Sequence, residues 1–335
     1  MRCYLERMNV LVFAAWPVKA WRFPESKLAV LRARFPHIHF VHARSHDEAL
    51  HAAGNIDVAL APHVTPELLA AAPNLTWVHS SAAAVQGLLA LPELAERGIR
   101  ITNSRGIQAI PIAEHVMGGL LVLSRKFDRT MAAQRDRQWI QAELCDTNWP
   151  FMLHGRSMTI VGLGTIGLEI ARRAHAFGMR VTGVRKRVDQ PLPEFVDRVV
   201  GPQQLDDALK GCDVLVVSAP GVAETAGMIG AAELGLLNLG AIVVNVARAQ
   251  IVDEPALLAG LGSGRLGGAV LDVFEREPLD AESPLWSIPN VVLTPHASGF
   301  RESHWDEVVD LFSENLRRFE RGAVLLNPVD AHAGY

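Results

Sequence analysis

Short apolar runs rich in β-branched residues alternate along the chain with longer Ala/Leu-rich stretches of helical spacing. The first series of runs is Asn9–Ala14, His37–Val41, Asp57–Ala61, Thr76–His79 and Ile99–Thr102. Helical stretches Ser26–Arg34, His46–Ala53, Pro66–Ala71 and Leu88–Arg97 lie between them. The second series is Met158–Val161, Arg180–Val184, Val199–Val200, Val214–Ser218, Ile242–Asn245, Gly268–Val270 and Val291–Leu293. Runs this apolar predict strands covered on both faces, as in parallel sheets. The alternation, met twice, predicts an α/β protein of two doubly wound parallel-sheet domains. Pro111–Arg125 and Ser303–Arg321 read as long helices, one after each series. The expected division is residues 1–104 plus 300–335 for the first domain and 105–299 for the second, so the first is discontinuous.

The length of 335 residues suits two domains, and 49% hydrophobic with 20% charged residues excludes a disordered or fibrous chain. A formal charge of −4 argues against bulk polyanion binding, so no nucleic-acid partner is expected. Cys3, Cys145 and Cys212 are far apart, which argues against a disulfide framework or zinc module and for a reducing compartment, the cytoplasm. No apolar run is long enough to cross a bilayer. Arg2 and Arg7 before Val10–Trp16 mimic a signal peptide, but Glu6 and the bulky Trp16-Pro17 junction argue for a buried first strand. Met8 is an alternative start, which would make residues 1–7 a dispensable leader.

Gly162-Leu163-Gly164-Thr165-Ile166-Gly167 follows a predicted strand and opens a predicted helix, Leu168–Ala176. In that setting G-x-G-x-x-G is a dinucleotide turn. The first glycine makes the turn, the second admits the pyrophosphate, and the third lets helix and strand pack. The helix N-terminus adds unpaired N–H donors. At the tip of the next strand, where NAD sites place an acid, stand Arg185, Lys186 and Arg187. A 2′-phosphate would pair with that charge, so NADP(H) is favoured over NAD(H).

Three further segments each follow an apolar run: Asn245–Glu254 with Arg248, Leu271–Leu279 with Asp272 and Glu277, and Leu293–Gly299 with His296. Arg, Glu and His in this order after a dinucleotide turn resemble the D-isomer-specific 2-hydroxyacid dehydrogenases. Asn103–Arg125, Asn315–Phe319 and Asn327–Asp330 extend the resemblance over most of the chain. The resemblance implies Rossmann-like domains, the N-terminal one flavodoxin-like and completed by the C-terminal helix. It also implies an NAD(P)-dependent oxidoreductase of the glyoxylate/hydroxypyruvate reductase kind.

In that reading Arg248 clamps the carboxylate and carbonyl of a 2-keto acid, because a planar guanidinium can grip both. His296 is the general acid for the developing alkoxide, and Glu277 stabilises its imidazolium. Asp272 would orient the nicotinamide. Ala219, Pro220, Thr225, Val246, Ala247, Ser298 and Gly299 would complete the cofactor site. The loop Ser81-Ala82-Ala83-Ala84 would offer N–H groups to the substrate carboxylate, although relatives often carry glycine there. Trp139 would close a partner subunit's pocket or anchor a homodimer. A phosphoglycerate dehydrogenase-like enzyme and a non-catalytic nicotinamide-sensing protein are the alternatives. A formate dehydrogenase is disfavoured, since those relatives place Gln where Glu277 stands. His37, His39, His42, His46 and His51 cluster, with His37 and His39 expected on one strand face. Their spacing fits a histidine-rich surface better than a metal site, and no metal is called for.

Overall fold

A computed structural model describes residues 7–330. Residues 1–6, which include Cys3 and all but Arg7 of the expected leader 1–7, lie outside the described part. Contacts divide the chain into two units, Met1–Ile107 with Arg301–Tyr335 and Gln108–Phe300.

In the first unit the apolar runs become β1 (Asn9–Val12), β2 (His39–His42), β3 (Val58–Leu60), β4 (Trp77–Ser80) and β5 (Arg100–Asn103). All are parallel, in the order β2-β1-β3-β4-β5 of flavodoxin-like sheets. The two-residue period of a strand sorts its side chains. Val10, Val12, Val58, Leu60 and Trp77 face the helices Glu25–Arg34 and His304–Glu320 through Leu28, Leu31, Phe312 and Leu316. Leu11, Ala59 and Val78 face Leu68, Leu88 and Leu94 on the other side. The late helix His304–Glu320 thus supplies one wall of the early sheet. Phe312 is fully buried there, and its truncation to Ala should cost about 3–5 kcal/mol.

The helix expected over Leu88–Arg97 is instead two short helices, Gln86–Leu89 and Pro92–Glu96. Pro92 has no N–H to donate backward, and it holds Leu91 extended. His37 lies before β2 and so does not share a strand face with His39.

The second unit holds β6 (Ser157–Val161), β7 (Arg180–Val184), β8 (Arg198–Val200), β9 (Val214–Val217), β10 (Ala241–Asn245), β11 (Leu266–Leu271) and β12 (Val291–Leu293). They are parallel in the order β12-β11-β10-β9-β6-β7-β8, a doubly wound sheet. One face packs on the helices Ala109–Arg125 and Thr165–Ala176 through Val116, Leu120, Ile170 and Ala174. The other packs on Leu209, Leu234, Leu257 and Leu261. The order reverses between β6 and β9, and ligands of such sheets bind beyond the carboxyl ends of the strands at this switch. Turns after β6, β7, β9, β10, β11 and β12 all leave from that edge, and these turns carry the residues singled out above.

Candidate active site

The three turn glycines do different work. Gly162 has φ +100°, and a Cβ there would sit 2.4 Å from the backbone N of Ala219. At Gly167 it would sit 2.3 Å from the Gly162 carbonyl oxygen. Gly164 has nothing within 4 Å of the corresponding position. Two glycines are thus locked by packing, and the middle one faces open space at the N-terminus of the Thr165–Ala176 helix. The N–H groups of Thr165, Ile166 and Gly167 donate to no described protein acceptor. This is the cradle a pyrophosphate requires, so these residues fit a dinucleotide.

At the tip of β7 the three bases are unequal. Arg185 Nη2 donates to the carbonyls of Gln190 (2.6 Å) and Pro191 (3.2 Å). Lys186 pairs with Glu224 at 3.1 Å. Arg187 is exposed. Ala219 is the backbone against which Gly162 closes. Thr225 Oγ1 bridges Pro220 O (2.8 Å) and Val222 N (3.0 Å), shaping its own turn.

After β10, Asn245 closes the turn. Its Oδ1 accepts from Ala247 N at 3.1 Å, and its Nδ2 donates to Arg248 O at 3.0 Å. Val246 and Ala247 are buried within that turn. The Arg248 stem lies against Gly221, where a Cβ would come within 2.6 Å of Cγ. Burial pushes the Arg248 guanidinium below its ordinary value, and the charge of Glu277 opposes that shift. Glu277 is held at both oxygens: Oε1 accepts from Phe274 N at 3.1 Å, and Oε2 lies 2.7 Å from His296 Nδ1. A carboxylate can only accept, so Nδ1–H is the donor, and Nε2 is the nitrogen left for proton exchange.

The Asp272 carboxylate is 1% exposed and takes donors from the loop that carries His296. Oδ1 accepts from Thr294 Oγ1 (2.7 Å) and Ala297 N (3.0 Å). Oδ2 accepts from Ser298 N (3.1 Å) and from Ser298 Oγ. Since the Thr294 hydroxyl donates to Asp272, His115 Nε2 must donate to Thr294, at 3.1 Å. Asp272 and Ser298 therefore hold the His296 turn. Gly299 packs on the Gln108 side chain. His115, Asn245 and Gly221 were missed at the sequence level. His115 and Asn245 lay inside motifs noticed for other residues, and Gly221 only beside Pro220.

In the first unit the loop after β4 is tied from behind by the end of β5. Ser104 Oγ donates to Ser80 O (2.9 Å), Ser104 N to Ala82 O (3.2 Å) and Asn103 Nδ2 to Ala83 O (2.8 Å). In a trans peptide the carbonyl and the following N–H point in opposite directions. Tying back those three carbonyls turns the N–H groups of Ser81, Ala83 and Ala84 the other way. None of the three donates to a described protein acceptor. Successive N–H groups freed in a loop in this way can form an anion nest.

Trp139 is 87% exposed, and Phe127, Met131, Trp149 and Met152 nearby in sequence are exposed too. The clustered histidines are mostly paired: His37 with Glu320, His42 with Glu25, and His39 with Asn9. Among the described residues no group of His, Cys, Asp and Glu could hold a metal ion, and no helix is long and apolar enough to cross a membrane.

Residues 117–298 match the family model for the NAD binding domain of D-isomer specific 2-hydroxyacid dehydrogenases. The chain is 32% identical over 269 residues to a glyoxylate reductase of Korarchaeum cryptofilum, covering 80% of each. It is 31% identical over 273 residues to a D-3-phosphoglycerate dehydrogenase of Archaeoglobus fulgidus, covering 80% of this chain and 49% of that one. Among solved structures it resembles an NADPH-dependent glyoxylate/hydroxypyruvate reductase of Sinorhizobium meliloti in complex with NADP and sulfate. There the TM-score is 0.83 and the identity 28%, over 98% of this chain and all of that one.

Proposed function

Because the chain belongs to the D-isomer specific 2-hydroxyacid dehydrogenase family, an NAD(P)-dependent class of oxidoreductase, we propose that it reduces a small 2-keto acid to the D-2-hydroxy acid. Glyoxylate and hydroxypyruvate are the substrates we put first. The observation that carries the reading is the Glu277–His296 pair, 2.7 Å apart, on the loops after β11 and β12. The nicotinamide, when bound, supplies the hydride. His296 gives a proton from Nε2 to the carbonyl oxygen as it becomes an alkoxide, and Glu277 steadies the charge on the ring. Arg248, desolvated yet always charged, orients the keto acid and polarises its carbonyl. The Ser81–Ala84 nest takes the carboxylate.

For the cofactor we favour NADP(H). The cluster of Arg185, Lys186 and Arg187 supports this, as does the absence of an acid at the β7 tip. We further propose a cytoplasmic homodimer. The exposed Trp139, Trp149, Met131 and Met152 suit a self-association surface, and Cys145 and Cys212 are free thiols. The test is a panel of 2-keto acids assayed with NADPH and NADH. Glyoxylate or hydroxypyruvate turnover, faster with NADPH, is the expected result. Failure of every keto acid with both cofactors would overturn it.

A further inference from the structure

His79 is wholly buried at the end of β4, between Trp77 and Phe312, yet both ring nitrogens are used. Trp77 Nε1 lies 2.9 Å from Thr102 Oγ1, and Thr102 Oγ1 lies 2.6 Å from His79 Nδ1. His79 Nε2 lies 3.3 Å from Ser104 Oγ, which is 2.9 Å from Ser80 O. A carbonyl oxygen can only accept, so Ser104 spends its one hydroxyl hydrogen on Ser80 O, His79 Nε2 must donate to Ser104, and the neutral ring is left to accept at Nδ1. Thr102 accepts from Trp77 and passes its own hydrogen to His79 Nδ1. The imidazole is then the neutral Nε2–H tautomer, which donates to Ser104. The Ser104 hydroxyl in turn donates to the Ser80 carbonyl, which turns the Ser81 N–H outward. Burial favours the neutral ring that this order requires, pushing its pKa down to about 3.

We propose that His79 is a positioning residue for carboxylate binding: through Ser104 it holds the Ser80–Ser81 peptide in the orientation that aims an N–H at the substrate. An apolar side chain of similar size would fill the same space without ordering that hydroxyl. The proposal rests on the reading of Ser81–Ala84 as the carboxylate site.

The test measures oxalate binding to the NADPH-loaded enzyme by tryptophan fluorescence, together with kcat and KM for glyoxylate. The variants are His79→Phe, His79→Gln, Ser104→Ala and Ala83→Pro. Ala83→Pro removes one nest N–H directly. His79→Phe and Ser104→Ala should each weaken oxalate and raise the glyoxylate KM about tenfold, with kcat and NADPH affinity little changed. His79→Gln, which keeps an N–H donor towards Ser104, should restore most of the affinity. A purely structural role would instead lower the amount of active enzyme and leave KM alone, which would overturn the proposal. If His79→Phe does not fold, Ser104→Ala carries the test, since it deletes only the hydroxyl. A raised KM in Ala83→Pro with none in Ser104→Ala or His79→Phe would leave the carboxylate site standing and sink the role of His79. No oxalate binding by the parent chain, or no change in Ala83→Pro, would overturn the carboxylate reading and the assignment of His79 with it.

Discussion

The two sheets present their loops in the same way but offer different kinds of chemistry. Beyond the seven-stranded sheet the groups on offer are side chains: a desolvated guanidinium, a carboxylate held at both oxygens, and an imidazole fixed through Nδ1. Beyond β4 of the five-stranded sheet they are main-chain N–H groups, turned outward because their carbonyls are tied behind. An imidazole and a carboxylate can change protonation and so take part in proton transfer. Main-chain donors cannot, and can only recognise. The difference predicts that damage to the first set lowers turnover and damage to the second lowers affinity.

The sharpest way to break that contrast is His296→Asn. Turnover should fall about a hundredfold to ten-thousandfold with NADPH binding intact; a change confined to KM would contradict it. Arg248→Lys comes next. It keeps the charge but loses the planar fork, so kcat/KM for glyoxylate should drop about a hundredfold, a loss read by steady-state kinetics. Glu277→Gln should cost less. It leaves a neutral amide in place of the carboxylate that lies 2.7 Å from Nδ1. Glyoxylate turnover should therefore fall about thirtyfold, and unchanged turnover would refute the coupling.

Smaller again is Arg185→Asp, which should reduce kcat/KM for NADPH about tenfold more than for NADH. Equal losses would mean that Arg185 serves only the Gln190–Pro191 loop it already binds.

The least effect separates the two units by stability. Burial lowers His79 to about 3 and His304 to about 4 from an ordinary 6.5, and both lie in the first unit. Arg301 lowers His304 further, and Glu307 opposes it. Between these values and 6.5 the unfolded chain binds protons that the folded unit does not, so stability falls as pH falls. The slope is about 1.4 kcal/mol per pH unit for each histidine. Denaturant midpoints measured at about pH 7.5 and 5.5 should drop for the parent chain and drop less for His79→Phe. Equal drops would assign the acid sensitivity elsewhere.

The strands were legible because burial on both faces leaves a run of Val, Ile and Leu that little else produces. Pro66–Ala71 was legible to the residue, since Thr65 caps it through Leu68 N and Pro66 starts it. The break at Pro92 was missed because the leucines on either side keep helical spacing across it. The charged residues of the site stood out because each follows a strand, but the contacts that Asp272, Ser298 and Thr225 make with their own loops did not. A polar side chain at a strand end can face a ligand or its own loop, and only the partners it finds decide which. The nest was expected only through the family resemblance, because N–H groups have no letter in a sequence. The orientation of Ser81, Ala83 and Ala84 depends on Asn103 and Ser104, some twenty positions away.

Asp272 has a consequence for timing. The turn bearing the imidazole could swing away only by stripping a buried carboxylate of nearly all its donors, so His296 has no cheap alternative position. Slow steps in the catalytic cycle should therefore lie elsewhere, and the amide protons of Ala297 and Ser298 should be among the last in their neighbourhood to exchange with solvent.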